Sequence, residues 1–139
     1  MAVNKKQLRD LIGLAREAVE NAYAPYSGYR VGAVVFSENE NAYIGSNIEN
    51  ASYGLTVCAE RVAIWKAVSE QDNEFQVLVI AVEDDRIPRP CGACLQVMAE
   101  FERKEEPMQI VVVAGDGRYE VRKLGDFLPR PFELGGSED

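Results

Sequence analysis

The sequence predicts a three-layer α/β/α fold in one domain spanning 1–139. Three observations carry that expectation. Segments with helical spacing of apolar residues alternate with segments of strand character. Two runs, Phe75 to Val82 and Met108 to Ala114, are too continuously apolar for half-exposed strands and suit a sheet covered on both faces. The length of 139 residues is enough to bury a core without disulfide staples. No repeat, linker or low-complexity stretch divides the chain.

Each element follows from local pattern. Leu8, Leu11, Ile12, Ala15, Val19 and Ala22 recur at helical spacing, predicting a helix from Asn4 to about Asn21, with Asn4 and Gln7 as its capping pair. Tyr23 to Gly28 breaks the period and reads as a loop. Val31 to Phe36 and Tyr43 to Ile48 read as strands joined by a turn at Ser37 to Glu40, a hairpin. Glu49 to Leu55 is a polar loop. Thr56 to about Glu70 is expected to be helical, with Val57, Val62, Ile64, Trp65 and Val68 as its apolar surface. Phe75 to Val82 is the first buried run. Cys91 to about Arg103 forms the next helix, with Cys94, Met98 and Phe101 on one stripe. Met108 to Ala114 is the second buried run. After a turn at Gly115 to Gly117, Arg118 to Arg122 is expected to pair as an edge strand. The tail from about Phe127, with Pro129, Pro131, Gly135 and Gly136, is expected to be irregular.

Composition narrows the function. The formal net charge is −8 and the densest basic stretch is only Val121-Arg122-Lys123, which argues against a nucleic-acid partner. No run approaches the ~20 apolar residues of a membrane span. No apolar run follows the opening Met1 to Lys6, so no signal peptide is expected and the chain reads as cytoplasmic. There is no His, so no Ser-His-Asp or Cys-His system can form and the commonest zinc ligand is missing. The three Cys do not close into a disulfide framework.

All three Cys fall in two short motifs, Cys58-Ala59-Glu60 and Pro90-Cys91-Gly92-Ala93-Cys94, each where a helix is expected to begin. Unpaired N–H groups and the positive end of the helix dipole favour thiolate there. Three thiolates leave one position of a tetrahedral Zn²⁺ open, the arrangement of a catalytic site. Glu60 lies beside the metal position as a base and proton carrier for a water. Arg61 is the adjacent cation, available to offset the excess negative charge of three thiolates. Taken alone, Cys-x-x-Cys also fits a redox dithiol, and Cys-Ala-Glu also fits a buried Cys beside a solvent-facing Glu. Together, Cys-x-Glu followed by Pro-Cys-x-x-Cys matches the three-Cys form of the zinc deaminase signature.

At these residues the chain resembles the small cytidine deaminase family, which acts on free nucleosides. The resemblance extends through Tyr23-Ala24-Pro25-Tyr26-Ser27, Val31-Gly32-Ala33, Asn47-Ile48-Glu49-Asn50-Ala51-Ser52-Tyr53, Cys58-Ala59-Glu60-Arg61, Pro90-Cys91-Gly92-Ala93-Cys94 with Gln96-Val97, and Leu128-Pro129. It implies an α/β/α sandwich around a mixed central sheet, one Zn²⁺ per chain on Cys58, Cys91 and Cys94, and hydrolytic conversion of cytidine or deoxycytidine to the uracil nucleoside in pyrimidine salvage. It implies that Asn47 and Glu49 hold the ribose, that Tyr29 (where Phe is usual) and Ala59 line the substrate site, and that Phe132 stacks on the base from a neighbouring subunit. It implies homotetramers, or homodimers, with active sites at subunit interfaces. One departure stands out: Leu95 occupies a position where the family often has Arg, removing one of two cations that temper the thiolates. Leu95 keeps open a deaminase of another aminopyrimidine, such as a nucleoside antibiotic of the blasticidin S type. A non-catalytic zinc module is the reading from a different class, and Glu60 argues against it.

Overall fold

A computed structural model describes residues 3–103 and 105–134. The expectations placed on Met1, Gly135 and Gly136 therefore lie outside the described residues. The central strand is β3 (Phe75–Val82), and the sheet order is β2-β1-β3-β4-β5. β1 (Val31–Ser37) and β2 (Ala42–Ser46) form the antiparallel hairpin, and β1 also runs antiparallel to β3. β4 (Gln109–Val113) is parallel to β3, and β5 (Tyr119–Lys123) closes the sheet as an antiparallel edge. The sheet is thus mixed, with one parallel pair bridged by a helical crossover.

Alternation in β3 explains the three layers. Val77, Val79 and Ala81 face one side, where Leu11, Ala15 and Val19 of α1 (Lys5–Val19) cover them. Leu78 and Ile80 face the other, under α2 (Ala59–Ser69), α3 (Gly92–Glu100) and the short α4 (Leu124–Phe127). A strand covered on both faces has no polar side to show, which is why its sequence reads as one apolar run. The α1 cap is as expected: Asn4 Oδ1 accepts from the Gln7 amide at 2.7 Å, and Gln7 Oε1 accepts from the Asn4 amide at 2.9 Å.

Four expectations need correction. First, β2 ends at Ser46, not Ile48. Ile48 leaves the hairpin and forms isolated bridges instead: its own N–H and C=O both bond Val57, while its neighbours Asn47 and Glu49 bond Tyr23. Second, α2 begins at Ala59 rather than Thr56, after a 3₁₀ turn at Tyr53–Leu55. Its buried face is Ala59, Ala63, Ile64 and Ala67, while Trp65 is half exposed. Small residues face the sheet because the helix lies very close to it. A Cβ built on Gly45 would meet Ala59 O and Ala63 N at 2.5 Å. Third, α3 stops at Glu100, with Phe101 as its C-cap. Fourth, the irregular tail is preceded by α4, which buries Leu124. Residues 128–134 then carry no regular element.

Candidate active site

The site forms where the starts of α2 and α3 meet at one face of the sheet. Cys58 is the N-cap of α2 and Cys91 the N-cap of α3. Cys94 sits one turn into α3, and its amide donates to Cys91 Sγ at 3.4 Å. The bridged pair Ile48–Val57, joined by two 3.0 Å backbone hydrogen bonds, brings Cys58 beside the segment after β2. Asn47 and Glu49 flank Ile48 in that segment. Their own backbones are tied to Tyr23, at 2.9 and 2.8 Å.

The three sulfurs converge. Cys58 to Cys91 is 3.9 Å, Cys91 to Cys94 is 3.3 Å, and all three lie within 4.8 Å of one another. A tetrahedral zinc with Zn–S bonds of about 2.3 Å would space its thiolates roughly 3.8 Å apart. The set therefore fits a soft divalent cation, and Cys58, Cys91 and Cys94 are the residues that can hold it. Three thiolates at this spacing repel strongly unless a cation sits among them. A hydrogen bond from Cys94 holds the Cys58 thiol down to about 5, with Arg61 assisting, while burial acts the other way. The same sharing, with burial, pushes Cys94 up.

Arg61 donates from Nη2 to Cys58 Sγ at 3.5 Å and lies over the Trp65 ring, 5.9 Å from its centre. The Cys58 hydrogen bond pushes its guanidinium pKa up, further from neutrality. Leu95 is buried in the core under α3, so its side chain serves packing. Arg61 is the one cation recorded on the sulfurs among the described residues.

Glu60 is buried at 5% exposure and faces the same cavity. Burial first, then the Cys58 charge, push its carboxyl up to about 7, against the opposing pull of its own backbone amide and Arg61. A carboxyl balanced near neutrality can take and return a proton within one catalytic cycle. The cavity is about 360 Å³, a volume suited to a small molecule.

Its wall collects most of the residues singled out from sequence: Tyr29, Asn47, Glu49, Cys58, Ala59 and Glu60. Asn47 braces the loop before β1, with Oδ1 accepting from Val31 N at 2.8 Å and Nδ2 donating to Tyr29 O at 2.9 Å. Glu49 braces the preceding loop. Its Oε1 accepts from the Tyr26 and Ser27 amides at 2.9 and 3.1 Å, and its Oε2 accepts a short hydrogen bond from the Ser27 hydroxyl. These donors, Ser27 Oγ foremost, hold Glu49 below the usual carboxylate range and so ionised. Phe132 is not brought to this cavity. Its ring is exposed, and its backbone is pinned to α3 by Gln96, at 2.9 and 3.1 Å.

Sequence reasoning missed Ser27, Tyr53 and Arg89 as individual contributors. Ser27 and Tyr53 lie inside the motifs that carry the family resemblance, which was the available signal. Arg89, just before Pro90-Cys91, lines the cavity with Pro88. A lone Arg in a loop gave nothing to single it out.

Three thiols clustered at metal-binding spacing, an adjacent buried carboxyl and a small-molecule cavity are the parts of a metal-dependent hydrolytic centre. Comparison with known proteins makes this specific. Residues 5–110 match the model of the cytidine and deoxycytidylate deaminase zinc-binding region, and the chain belongs to that family. A cytidine deaminase of Sporosarcina psychrophila is 40% identical over 122 residues, covering 88% of each chain. One from Halalkalibacterium halodurans is 43% identical over 106 residues, covering 76% of this chain and 80% of the other. The crystal structure of a Burkholderia pseudomallei cytidine deaminase superposes with a TM-score of 0.83 at 39% identity, over 89% of this chain and 98% of that one.

Proposed function

We propose that this chain is a zinc-dependent cytidine deaminase, converting cytidine or deoxycytidine and water to the uracil nucleoside and ammonia. The observation that carries the reading is the buried Glu60 carboxyl facing the cavity beside a three-sulfur cluster of metal-binding dimensions. Relatives named cytidine deaminase, 40% identical over most of the chain, support the substrate.

Cys58, Cys91 and Cys94 hold the zinc, which when bound supplies the Lewis acidity that makes water nucleophilic near neutral pH. Glu60 accepts the proton of the attacking water, whose oxygen adds to C4 of the pyrimidine. Glu60 delivers that proton to N3. It then takes the second proton, from the new C4 hydroxyl, and gives it to the amine as the C4 carbonyl forms and the C4–N bond breaks, and ammonia leaves. Its burial raises its basicity and keeps bulk water from competing for the proton. Arg61 offsets the thiolate charge. Glu49 and Asn47, already braced against the loops, hold the ribose and so fix C4 against the reacting water. Tyr29 and Ala59 shape the wall against the base.

The tail reaches beyond its own site. Phe132 projects into solvent from a backbone pinned by Gln96, a geometry suited to reaching a neighbouring subunit's cavity. A homotetramer acting in pyrimidine salvage in the cytoplasm completes the proposal. A native mass equal to one chain by sedimentation would remove the subunit-sharing part. Among the described residues, no helix is long and apolar enough to cross a membrane.

The test is direct. Zinc-loaded protein should consume cytidine, followed by loss of its ultraviolet absorbance. Glu60→Gln should keep zinc and lose at least about 10²-fold in kcat. Full zinc loading with no turnover of any aminopyrimidine would overturn the deaminase reading. A near-normal rate for Glu60→Gln would overturn the role given to Glu60.

A further inference from the structure

Trp65 is an unusual residue to find on α2. The buried face of that helix is built from Ala59, Ala63, Ile64 and Ala67, and Trp65 stands off it, 49% exposed. A large indole left half in water is not explained by core packing. It is one helical turn beyond Arg61, at the i,i+4 spacing that brings side chains together. The Arg61 guanidinium carbon lies 5.9 Å from the ring centre, inside the range for a cation–π contact.

Arg61 needs holding. Its hydrogen bond to Cys58 Sγ is long, 3.5 Å. Its Nε is buried without a hydrogen-bond partner, so the guanidinium fork is incompletely satisfied. A long side chain under so little directional restraint pays rotamer entropy to stay on one sulfur. Leu95, next to Cys94, is committed to the core and brings no charge to the sulfurs. Among the described residues Arg61 is the one cation recorded on the sulfurs, and the ring it packs against limits where it can go.

We propose that Trp65 is a positioning residue of the zinc site: its indole face clamps the Arg61 guanidinium against the Cys58 sulfur, and this clamp strengthens metal retention. The proposal rests on the zinc reading above. The ring acts through Arg61 and touches neither metal nor substrate.

The test uses zinc-loaded full-length protein and measures the rate of zinc transfer to a chromogenic chelator. Trp65→Leu keeps apolar bulk and removes the π face; it should release zinc about fivefold faster than the parent. Trp65→Phe keeps a π face and should stay within about twofold. In an Arg61→Ala background, Trp65→Leu should add nothing, because the clamp has no cation left to hold. Trp65 is the only tryptophan in the chain, so its emission reports the pair directly, and Arg61→Ala should shift it. The clamp is overturned if Trp65→Phe releases zinc as fast as Trp65→Leu. It is equally overturned if Trp65→Leu keeps its full effect without Arg61, or if the emission ignores Arg61→Ala. A parent chain that takes up no zinc would remove the underlying reading, and the clamp with it.

Discussion

Gly45 is the position where one added methyl group tests how tightly fold and site are joined. It lies in β2 under the first turn of α2 and pairs with Ala33. A Cβ there would stand 2.5 Å from both Ala59 O and Ala63 N, and 3.1 Å from the Ala63 Cα. All three are backbone atoms, so no side chain can swing aside. Ordinary contact begins near 3.4 Å, so the start of α2 must retreat by about 0.9 Å. That turn carries Cys58 as its cap and Glu60 in its second position. Moving it displaces Cys58 and Glu60, the proposed zinc ligand and proton carrier, together, while Cys91 and Cys94 remain on α3. Overpacking of this kind costs about 1–3 kcal/mol in stability. A displacement near 1 Å at a reacting group costs on the order of 10²-fold in rate. Gly45→Ala should therefore lower kcat/KM for cytidine about a hundredfold while the protein stays folded. The assay is steady-state turnover beside urea unfolding and zinc content. A variant with parental stability and kcat/KM within twofold would show that the α2–sheet contact does not set the site geometry.

Two further predictions follow from the braced carboxylates. Glu49→Gln replaces acceptors with an amide facing the Tyr26 and Ser27 donors, so KM for cytidine should rise about tenfold, the order expected for losing a charged hydrogen bond. Turnover of 1-methylcytosine, which has no sugar, should change much less, and equal losses on both would remove the ribose assignment. Asp72, buried in the loop after α2, is pushed up by burial. The hydrogen bonds from Asn41, Ser37, Tyr43 and Asn39 outweigh that, so its folded pKa lies below the unfolded value. The unfolded chain then takes up a proton first, and the stability from this group is full above about pH 4 and lost as pH falls through the folded value. Asp72→Asn should flatten the fall in urea midpoint between pH 5 and pH 3. An unchanged acid slope would show that the network does not act through ionised Asp72.

Much of this protein was legible in its sequence because the relevant signals are local. β3 was read with its observed bounds, since a run of eight residues that is apolar at every position but Gln76 admits few other structures. The Asn4–Gln7 cap was visible because it needs only three-residue spacing. The chemistry was visible for the same reason: Cys58-Ala59-Glu60 and Pro90-Cys91-Gly92-Ala93-Cys94 carry their spacing within single turns. What was misread depended on distant partners. The apolar surface of the α2 helix was read as Val57, Val62, Ile64, Trp65 and Val68, yet of these only Ile64 is fully buried, beside Ala59, Ala63 and Ala67. Only the closeness of Gly45 makes small residues the right ones. The end of β2 was placed at Ile48, as the return strand of the hairpin, and the strand stops at Ser46. The Ile48 backbone is claimed instead by Val57, and that of its neighbours Asn47 and Glu49 by Tyr23, neither partner adjacent in sequence.

The sequence by itself determined the reaction class available to this chain. With no His, the three Cys are the thiols available to a zinc-binding deaminase domain, and the roles proposed for them and for Glu60 follow from that spacing. Tertiary structure decided how those residues work. It set the sulfurs 3.3 to 3.9 Å apart, and it buried Glu60 deeply enough to bring its carboxyl near neutrality. It sent Leu95 into the core and left Arg61 on Cys58 under the ring of Trp65. Distance and burial belong to the packing of two helix starts against one sheet, and residue order along the chain does not encode them locally.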